Sequence, residues 1–348
     1  MSPKTITIAD RIIGDGMPCF IIGEIGANHN QQFDIAKQLI DVAVDAGVDV
    51  VKFQSFKVEQ WLSKDFVEFP TMSEAEDLHA ELKRAELPYE MFARIIEYCH
   101  QKSIICFSTP SNIVDVDKLH ELNVPAFKFG SVQITDLPTI AHASRFGLPV
   151  ILSGGAANMS DILSAVETVL ETGNDQLVVL HCTSVYPCHD YSLLNLNVLR
   201  SFQAMFDFPV GYSDHTTDPI IAPVAAVAMG AKILEKHFTL DRSMKGPDHS
   251  FALEPDELKC MVSAIRKTER SMGSAHRRML PEEVEVARLG RRSLVATRDI
   301  KVGGRISAAD LAIKRPGTGI EPRYLDLIIG RTARMDISAD HVLTWDMV

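Results

Sequence analysis

The 348-residue sequence lacks the features of several protein classes. Its six cysteines are scattered without a CxxC pair, so neither a disulfide framework nor a zinc ribbon is indicated. The net charge of −11 argues against nucleic acid or an anionic membrane as the main partner, because both require a spread basic surface. The start, MSPKTITIAD, has no basic segment followed by an apolar one. We therefore expect no secretory signal and a protein of the reducing cytoplasm.

Long apolar runs and an early glycine-rich fingerprint are also missing. The longest uncharged apolar run, residues 220–231, is too short to span a bilayer and contains Pro223, so we interpret it as a buried helix. No GxGxxG follows the first strand-like run, which disfavours a doubly wound sheet, although that fold remains the alternative to the one below. With 46% hydrophobic residues, the chain can bury a large core. Its length suggests one large domain plus a small one.

The sequence does contain a regular alternation of strand-like and helix-like segments. Short apolar runs alternate with longer helical patterns such as residues 33–47 and 159–173. Eight such units over roughly 250 residues predict an α/β fold, a (β/α)8 TIM barrel, in which catalytic groups lie at the C-terminal ends of the strands. The runs are CFIIGE, VDVVKFQ, SIICFST, PAFKFG, PVILSGG, QLVVLHCT, FPVGYSDH and AKILEKH.

Polar residues close or follow each run, where the barrel interpretation places a pocket. In VVKFQ, Lys52 and Gln54 share one face of the strand, and Lys128 is flanked by phenylalanines, so both lysines are predicted to point toward the polar mouth. The other strand-end residues are Glu24, Ser108, Ser153, His181, Ser213, His215, Glu235 and His237.

Two lysines and a Gly-Gly turn indicate a site for a small phosphorylated anion. Ser153 leads through Gly154 and Gly155 into a predicted helix, and backbone N–H groups freed by glycine at a helix start suit phosphate. Ser131, in KFGSVQ, adds a hydroxyl. Taken singly, a strand lysine is more often salt-bridged and a Gly-Gly pair is often only a turn.

His215 and His237 end consecutive predicted strands, which lie about 4.8 Å apart in a barrel. Two imidazoles at that separation can share a divalent ion, with Glu235 as a further ligand or a supporting group. A pair of hydrogen-bonded core histidines is the alternative. A second set, His181, Cys182, Cys188 and His189, is a weaker metal candidate, because His181 and Cys182 point to opposite faces of a regular strand.

The residue pattern of the sequence changes after Gly273. We predict a barrel domain over 1–275, a linker over 276–292 and a compact β-rich module over 293–348, where Gly-Gly and Pro-Gly turns separate short β-like runs. Residues 55–88 form a long excursion after the second strand. Such loops at this face of a barrel are usually lids or subunit contacts.

Taken together and in order, the motifs resemble the N-acetylneuraminate (sialic acid) synthase family. They are GEIGANHN, VKFQ, STP, KFGS, LSGG, HCTSVYP, GYSDHT, EKHFTLD, KGPDHSFALEP and KRPGTG, and the match extends in this order over nearly the whole chain. The resemblance implies a barrel followed by a C-terminal SAF, or antifreeze-like, domain. It also implies an enzyme that condenses phosphoenolpyruvate (PEP) with an N-acetylated aldose, working as a domain-swapped homodimer.

The resemblance also implies roles for particular residues. Its PEP contacts map onto Lys52, Lys128, Ser131, Ser153, Ser184 and Ser213. Its ligands for Mn²⁺ or Mg²⁺ map onto His215 and His237. Glu24, Gln133, Asp248 and Arg315 take catalytic positions, and Gln54, Tyr186, Asp248 and Arg315 surround the acceptor sugar, with Arg315 supplied by the partner subunit.

Two departures from the family pattern bear on the chemistry. Gln133 stands where relatives commonly have an acidic residue, and an amide cannot exchange a proton at neutral pH. Ser184 is asparagine in some relatives, which affects its assignment as a PEP contact.

The resemblance implies N-acetylmannosamine or a related N-acetylated aldose as the acceptor, with a diacetamido-trideoxy hexose that leads to legionaminic-type acids as the alternative. A Schiff-base aldolase using Lys52, Lys128 or Lys236, and a non-catalytic carbohydrate-binding protein, are the alternatives from other classes.

Overall fold

All eight predicted strands are present, and they close into one parallel barrel in the computed structural model, which describes residues 4–63, 65 and 78–348. An antiparallel hairpin, β1 (Thr5–Ile8) and β2 (Arg11–Gly14), precedes them. The last barrel strand pairs with the first, which confirms the (β/α)8 prediction and shows that the doubly wound alternative is wrong. The barrel strands are β3 (Phe20–Gly26), β4 (Val50–Ser55), β5 (Ile105–Pro110), β6 (Phe127–Phe129), β7 (Val150–Ser153), β8 (Leu177–Cys182), β9 (Val210–Asp214) and β10 (Ile233–His237).

Helices follow the barrel strands in the alternation that the sequence predicts. The first buries Ala36, Leu39, Ile40 and Ala43 at helical spacing and ends at Gly47, whose φ of 80° suits a residue without a Cβ. The apolar run that we interpreted as a buried helix is helical over Ile221–Ala228. The helices of the large unit are α1 (Phe33–Ala46), α2 (Val58–Trp61), α3 (Leu78–Ala85), α4 (Tyr89–Gln101), α5 (Ile113–Glu121), α6 (Leu137–Ser144), α7 (Met159–Glu171), α8 (Val198–Met205), α9 (Ile221–Ala228) and α10 (Pro255–Met272).

The hairpin β1–β2 was not predicted, and it covers the N-terminal end of the barrel. Ile6, Ile8 and Ile13 are buried in the main core. The Thr7 N–H donates to the Gln176 side chain, 3.2 Å away and just before β8. The hairpin therefore covers the end of the barrel opposite to the strand ends that carry the polar residues.

The excursion after β4 carries α2 and α3, and part of it, residues 64 and 66–77, lies outside the described residues. The described part has a small core in which Phe56, Val58 and Leu82 are buried. Glu86, also buried, accepts a hydrogen bond from the Val58 N–H at 2.8 Å and lies 3.0 Å from Lys83 Nζ. These contacts hold the excursion at the C-terminal end of β4.

The chain divides into two units, Met1–Gly273 and Ser274–Val348. The second unit has its own core, two paired strands, β11 (Ser293–Ala296) and β12 (Leu311–Lys314), and the short helices α11 (Val284–Gly290) and α12 (Leu325–Ile328). The segment predicted as a linker, 276–292, groups with this unit and contains α11. Among the described residues of the chain, no helix is both long and apolar enough to cross a membrane.

Candidate active site

A cavity of about 150 Å³ opens at the C-terminal ends of the barrel strands. It gathers eleven of the fourteen predicted site residues; Ser184, Asp248 and Arg315 do not line it. Its lining residues are Glu24, Lys52, Gln54, Phe56, Trp61, Thr109, Ser111, Lys128, Gly130, Ser131, Val132, Gln133, Ser153, Cys182, Tyr186, Ser213, His215, Glu235 and His237.

Lys52 and Lys128 point into this cavity, as side-chain alternation predicts, and each is paired with a carboxylate. Lys52 Nζ lies 2.7 Å from Glu24 and 3.8 Å from Glu235, and Lys128 Nζ lies 3.1 Å from the same Glu235 oxygen. Burial alone would lower the pKa of Lys52, but Glu235 and Glu24 raise it, so its ammonium stays charged. Ser153 accepts a hydrogen bond from Lys128 at 2.9 Å. The centre of the site is thus a buried network of two lysines and two glutamates.

Glu235 bridges the two lysines. Burial would raise the pKa of its carboxyl, but Lys128 and Lys52 lower it. Ser213, on the neighbouring strand, donates to it at 3.4 Å. One Glu235 oxygen, Oε2, is buried and has no hydrogen-bond partner among the described residues. The bridging carboxylate is therefore ionised and keeps one oxygen free.

A small concave cradle lies between the turns that follow β6, β7 and β8. Gly155 N–H donates to Ser131 Oγ at 3.2 Å, and Ser131 Oγ donates to Cys182 Sγ at 3.3 Å. A Cβ added to Gly155 would lie 2.4 Å from Ser184 Oγ and 2.6 Å from Ser131 Oγ. Ser184 therefore borders this cradle, although it lines a neighbouring cavity rather than the central one. Hydroxyl and N–H groups converge at this point, and such groups suit an anion.

His215 lies just after β9 and His237 ends β10. Their rings face each other, with centroids 5.6 Å apart. His215 Nδ1 lies 3.0 Å from the carbonyl oxygen of Thr183. His237 Nδ1 is buried without a hydrogen-bond partner among the described residues, with Asp248 Oδ2 at 3.8 Å. The two rings are therefore not the hydrogen-bonded core pair that the sequence left open as an alternative. Burial and His215 lower the pKa of His237 well below its ordinary value, so its ring is neutral.

Asp248 lies behind the cavity wall, beside Glu24 and Gln54. Gln54 donates to Glu24 Oε1 at 2.9 Å, and a Cβ on Gly26 would lie 2.6 Å from Asp248 Oδ2 and 3.2 Å from Glu24 Oε1. Gly26 has a φ of 54°, so both its conformation and this close approach favour glycine. Burial, opposed by Lys52, raises the pKa of Glu24 to about 7. A carboxyl with that pKa can exchange a proton at neutral pH.

Gln133 lines the cavity, but both of its amide atoms are bonded to the backbone. Its oxygen accepts from the Gly130 N–H at 2.7 Å, and its nitrogen donates to the Pro110 carbonyl at 2.5 Å. The side chain thus ties the turn after β6 to the end of β5. These contacts favour a positioning role over the catalytic position that the resemblance implied.

Two strand-end residues, Ser108 and His181, do not point into the cavity as the sequence pattern predicted. Ser108 points away from the cavity and shares a hydrogen bond with Ser55 at 2.8 Å, and its neighbour Thr109 accepts from Lys52 at 3.1 Å. His181 also turns outward, where its Nε2 lies 2.7 Å from the Leu194 carbonyl. The polar pattern identified these strand ends but not which residue of each faces inward.

The weaker metal candidate is not a site. His181 and Cys182 contact different surroundings, as their opposite faces predict. Within the described ranges, no group of three or more His, Cys, Asp or Glu side chains could hold a metal ion.

Lys236 is a structural residue rather than a nucleophile. It is buried outside the cavity, with Nζ 2.5 Å from Asp214 Oδ2 and a hydrogen bond to the Thr216 carbonyl. Alternation places it on the opposite face of β10 from Glu235 and His237. This removes one of the three lysines of the aldolase alternative.

Arg315 belongs to the second unit, on the turn after β12. It lines a cavity of about 610 Å³ there with Arg277, Arg278, Met279, Glu283, Val286, Ala287, Gly290 and Arg291. Four arginines therefore surround one depression in this unit.

Several lining residues were missed from the sequence. Phe56 and Ser111 lie on loops, Trp61 ends the one-turn helix α2 and Val132 lies in the turn after β6. In such short segments no periodic pattern predicts which side chain turns inward. Cys182 was considered only as a metal ligand, but it lies beside Ser131 and 3.8 Å from His215 Nδ1. Its position at the end of a predicted strand was the one available signal.

Comparison with known proteins places this architecture in a family. The model of the NeuB family matches residues 39–277, and that of the SAF domain matches residues 291–348. The chain is 38% identical to the N,N'-diacetyllegionaminic acid synthase of Legionella pneumophila, with 96% of each chain covered. It is 34% identical to the human N-acetylneuraminate-9-phosphate synthase, covering 97% of this chain and 95% of that protein. The crystal structure of the spore coat polysaccharide biosynthesis protein SpsE of Bacillus subtilis is 36% identical, with 99% of each chain covered and a TM-score of 0.68. The chain therefore belongs to the NeuB family and carries a C-terminal SAF domain.

Proposed function

We propose that the protein condenses PEP with an N-acetylated aldose and water to give a nonulosonic acid and phosphate. The product is N-acetylneuraminate or a legionaminic-type relative. The observation that carries this proposal is the convergence of Lys52, Lys128 and the His215–His237 pair on one cavity. Family membership and relatives named for sialic and legionaminic acid synthesis support it.

PEP binds at the inner end of the cavity. The two ammonium groups offset the charge of its phosphate and carboxylate, and the Gly155 cradle with Ser131 and Ser184 supplies hydrogen bonds. Glu24 and Glu235 hold both lysines in place before the ligand arrives, so little reorganisation is needed on binding.

The reaction forms one carbon–carbon bond and one carbon–oxygen bond to water, breaks the carbon–oxygen bond to phosphate, and converts the aldehyde oxygen into a hydroxyl by uptake of a proton. The methylene carbon of PEP attacks the aldehyde carbon of the open-chain acceptor, and its enol electron pair forms the new bond. Water then adds to the resulting cationic carbon, and the tetrahedral intermediate expels phosphate. Glu24, whose pKa is about 7, can give a proton to the aldehyde oxygen or take one from the attacking water, whereas the amide of Gln133 can do neither.

The residues present suit the Mn²⁺ or Mg²⁺ ion that the family implies. His215 and His237 would hold it. Nδ1 of His237 is buried without a hydrogen-bond partner among the described residues, and the Thr183 carbonyl engages Nδ1 of His215, so that Nε2 would be the ligating nitrogen of His215. Such an ion supplies Lewis-acid polarisation of the acceptor aldehyde. Water and substrate oxygens would complete its coordination.

We also propose that the enzyme is a domain-swapped homodimer in which Arg315 reaches the acceptor in the partner subunit. Helix α11 of the second unit buries no side chain, and Val284, Val286 and Leu289 on it are exposed. An apolar face of this kind favours a partner surface.

We further propose a cytoplasmic location, which agrees with six cysteines that are all free.

A phosphate-release assay with PEP and candidate acceptors tests the proposal. We expect release that depends on both substrates, is abolished by EDTA and is restored by manganese. The variant Lys128→Met should lose activity, whereas Lys102→Met, which alters an exposed lysine on the barrel surface, should retain it. Trapping of a pyruvate adduct by borohydride, or full turnover in EDTA, would contradict the proposal and favour the aldolase. No release with any acceptor would favour a binding protein.

A further inference from the structure

The turn after β3 and the loop after β10 are bonded to each other outside the cavity. The turn contains Asn28 and Asn30, and the loop, residues 238–253, contains His249. None of these three side chains lines the cavity. Asn28 and His249 are both 0% exposed, and polar side chains that are buried in this way require partners inside the protein.

Asn28 extends the pairing of β3 and β10 beyond the strand ends. The Phe238 N–H donates to the Glu24 carbonyl at 3.1 Å, and the Phe238 carbonyl accepts from Asn28 Nδ2 at 2.8 Å. The backbone N–H of Asn28 donates to the Ile25 carbonyl at 2.9 Å, which closes the turn. Both backbone groups of Phe238, the residue after His237, are therefore fixed by β3 and the turn that follows it.

His249 connects the loop after β10 to the same turn. Its Nδ1 lies 2.6 Å from the hydroxyl of Thr239, and its Nε2 lies 3.3 Å from Oδ1 of Asn30. An amide oxygen only accepts hydrogen bonds, so Nε2 carries the hydrogen and the Thr239 hydroxyl donates to Nδ1. Burial lowers the pKa of His249 to about 4, so the ring is neutral, as this pattern requires. A Cβ on Gly246 would lie 2.8 Å from Cδ2 of the ring, so a residue without a side chain makes room for it.

These hydrogen bonds surround Asp248 and His237. Asp248 precedes His249, and its Oδ2 lies 3.4 Å from the Ala27 backbone nitrogen and 3.8 Å from His237 Nδ1. The Leu253 N–H donates to the His237 carbonyl at 2.9 Å and closes the base of the loop. Displacement of the loop from the turn would therefore move the Asp248 carboxylate relative to the His237 ring.

We infer that Asn28 and His249 are positioning residues for the condensation, which hold Asp248 and His237 at the separation that the metal and the acceptor require. This inference rests on the proposed function and adds two residues to it. Both residues act through the loop after β10, because neither lines the cavity. Groups that hold metal ligands in orientation contribute to metal affinity although they do not touch the metal.

PEP binding should not depend on these two residues. The groups that we assign to PEP lie on other strands and turns: Lys52 on β4, Lys128 on β6 and the Gly155 cradle after β7. Disturbance of the loop after β10 should therefore change metal and acceptor binding selectively.

The test measures Mn²⁺ binding to the full-length protein without substrates, by electron paramagnetic resonance, and then initial rates of phosphate release. Asn28→Asp keeps the shape of the side chain but replaces its donor with a carboxylate oxygen. We expect its Kd for Mn²⁺ to rise by about tenfold, the lower end of the effect of supporting groups at metal sites. The KM for the acceptor should also rise, whereas the KM for PEP should stay unchanged. The acceptor is whichever of N-acetylmannosamine and a diacetamido-trideoxy hexose the wild type uses faster.

Other substitutions serve as matched comparisons. Asn30→Asp keeps an acceptor for His249 Nε2, so it should retain most of the Mn²⁺ affinity that Asn28→Asp loses. Asn123→Asp changes an exposed asparagine just after α5 and should leave every readout as in the wild type. His249→Leu should behave like Asn28→Asp, and His249→Gln, whose amide can donate to Asn30, should recover part of the loss.

Thermal unfolding separates positioning from loss of the fold. Folded Asn28→Asp and His249→Leu proteins with wild-type Kd for Mn²⁺ and wild-type KM for the acceptor would overturn the inference. Equal rises in both KM values, or a wild type that binds no Mn²⁺, would overturn it too. If either variant fails to fold, His249→Gln decides by the same readouts. A wild type that binds Mn²⁺ but releases no phosphate with either acceptor overturns the proposed function, while the Mn²⁺ titrations still test the two residues.

Discussion

Replacing Gly155 with alanine places a methyl group in the cradle that we assign to the PEP anion. An ideal Cβ there would lie 2.4 Å from Ser184 Oγ, 2.6 Å from Ser131 Oγ and 2.9 Å from Cys182 Sγ. All three separations are shorter than real Cβ atoms show, so these side chains must move. The φ of Gly155 lies outside the left-handed region, and the substitution therefore acts through contacts rather than backbone strain.

The magnitude follows from which atoms move. The hydroxyls and the thiol are ends of side chains, so the fold can accommodate the methyl group at a cost of about 1–3 kcal/mol. The displaced hydroxyls no longer face the anion, and a hydrogen bond to a charged group contributes about 1.5–3 kcal/mol. Loss of one such bond raises the KM for PEP by about 10- to 150-fold. The KM for the acceptor should stay nearly unchanged.

Gly154→Ala is the matched control, because its Cβ would lie 2.7 Å from Ile162 Cδ1, a flexible side-chain end away from the cradle hydroxyls. Initial rates of phosphate release against PEP concentration, with thermal unfolding of both variants, complete the measurement. A Gly155→Ala enzyme with an unchanged KM for PEP would refute the assignment of the anion to this cradle. Equal KM changes in both variants would point to a general disturbance of the loop instead.

Three further predictions concern residues whose contacts define their roles. Gln133→Glu should lower the free energy of unfolding by about 1–3 kcal/mol in urea titrations without raising kcat, because a carboxylate cannot donate to the carbonyl that the amide holds. Lys236→Met should cost about 3–5 kcal/mol by leaving Asp214 buried without its partner, and adding Asp214→Asn should recover part of it; a folded, fully stable single variant would refute this. Hydrogen bonds from Arg298 and neighbouring groups lower the pKa of Asp310 to about 2, so its contribution to stability is present above about pH 4 and lost as the pH falls toward 2. The Tm difference between wild type and Asp310→Asn should therefore vanish at low pH, and a constant difference would contradict the role.

Sequence reasoning predicted the barrel because its signals are local and repeated. Each strand is an apolar run, and each helix shows apolar residues at helical spacing. Eight strand–helix units in succession are compatible with few architectures. Alternation along β4 and β10 also predicted that Lys52 and Gln54 share the face toward the cavity and that Glu235 lies on the same face as His237. These features depend only on neighbours along the chain.

Other features depended on partners far apart in sequence. Ser108 and Thr109 are adjacent hydroxyls at one strand end, and only pairing with Ser55 decided which turns inward. The resemblance gave Gln133 a catalytic position, and only its hydrogen bonds to Pro110 and Gly130 show that its amide is used by the backbone. The hairpin at the barrel's N-terminal end was missed because two short strands carry little pattern.

By itself, the sequence determined the succession of strands and helices and which residues of a strand share a face, because both follow from periodicity within a few residues. Only the tertiary structure decided that Glu235 bridges two lysines from other strands, that Asp248 lies against Gly26, and that Phe56 and Trp61 line the cavity. These arrangements depend on the closure of the barrel and on the paths of its loops. Both are set by contacts between residues that are up to 222 positions apart in the chain, as in the approach of Asp248 to Gly26.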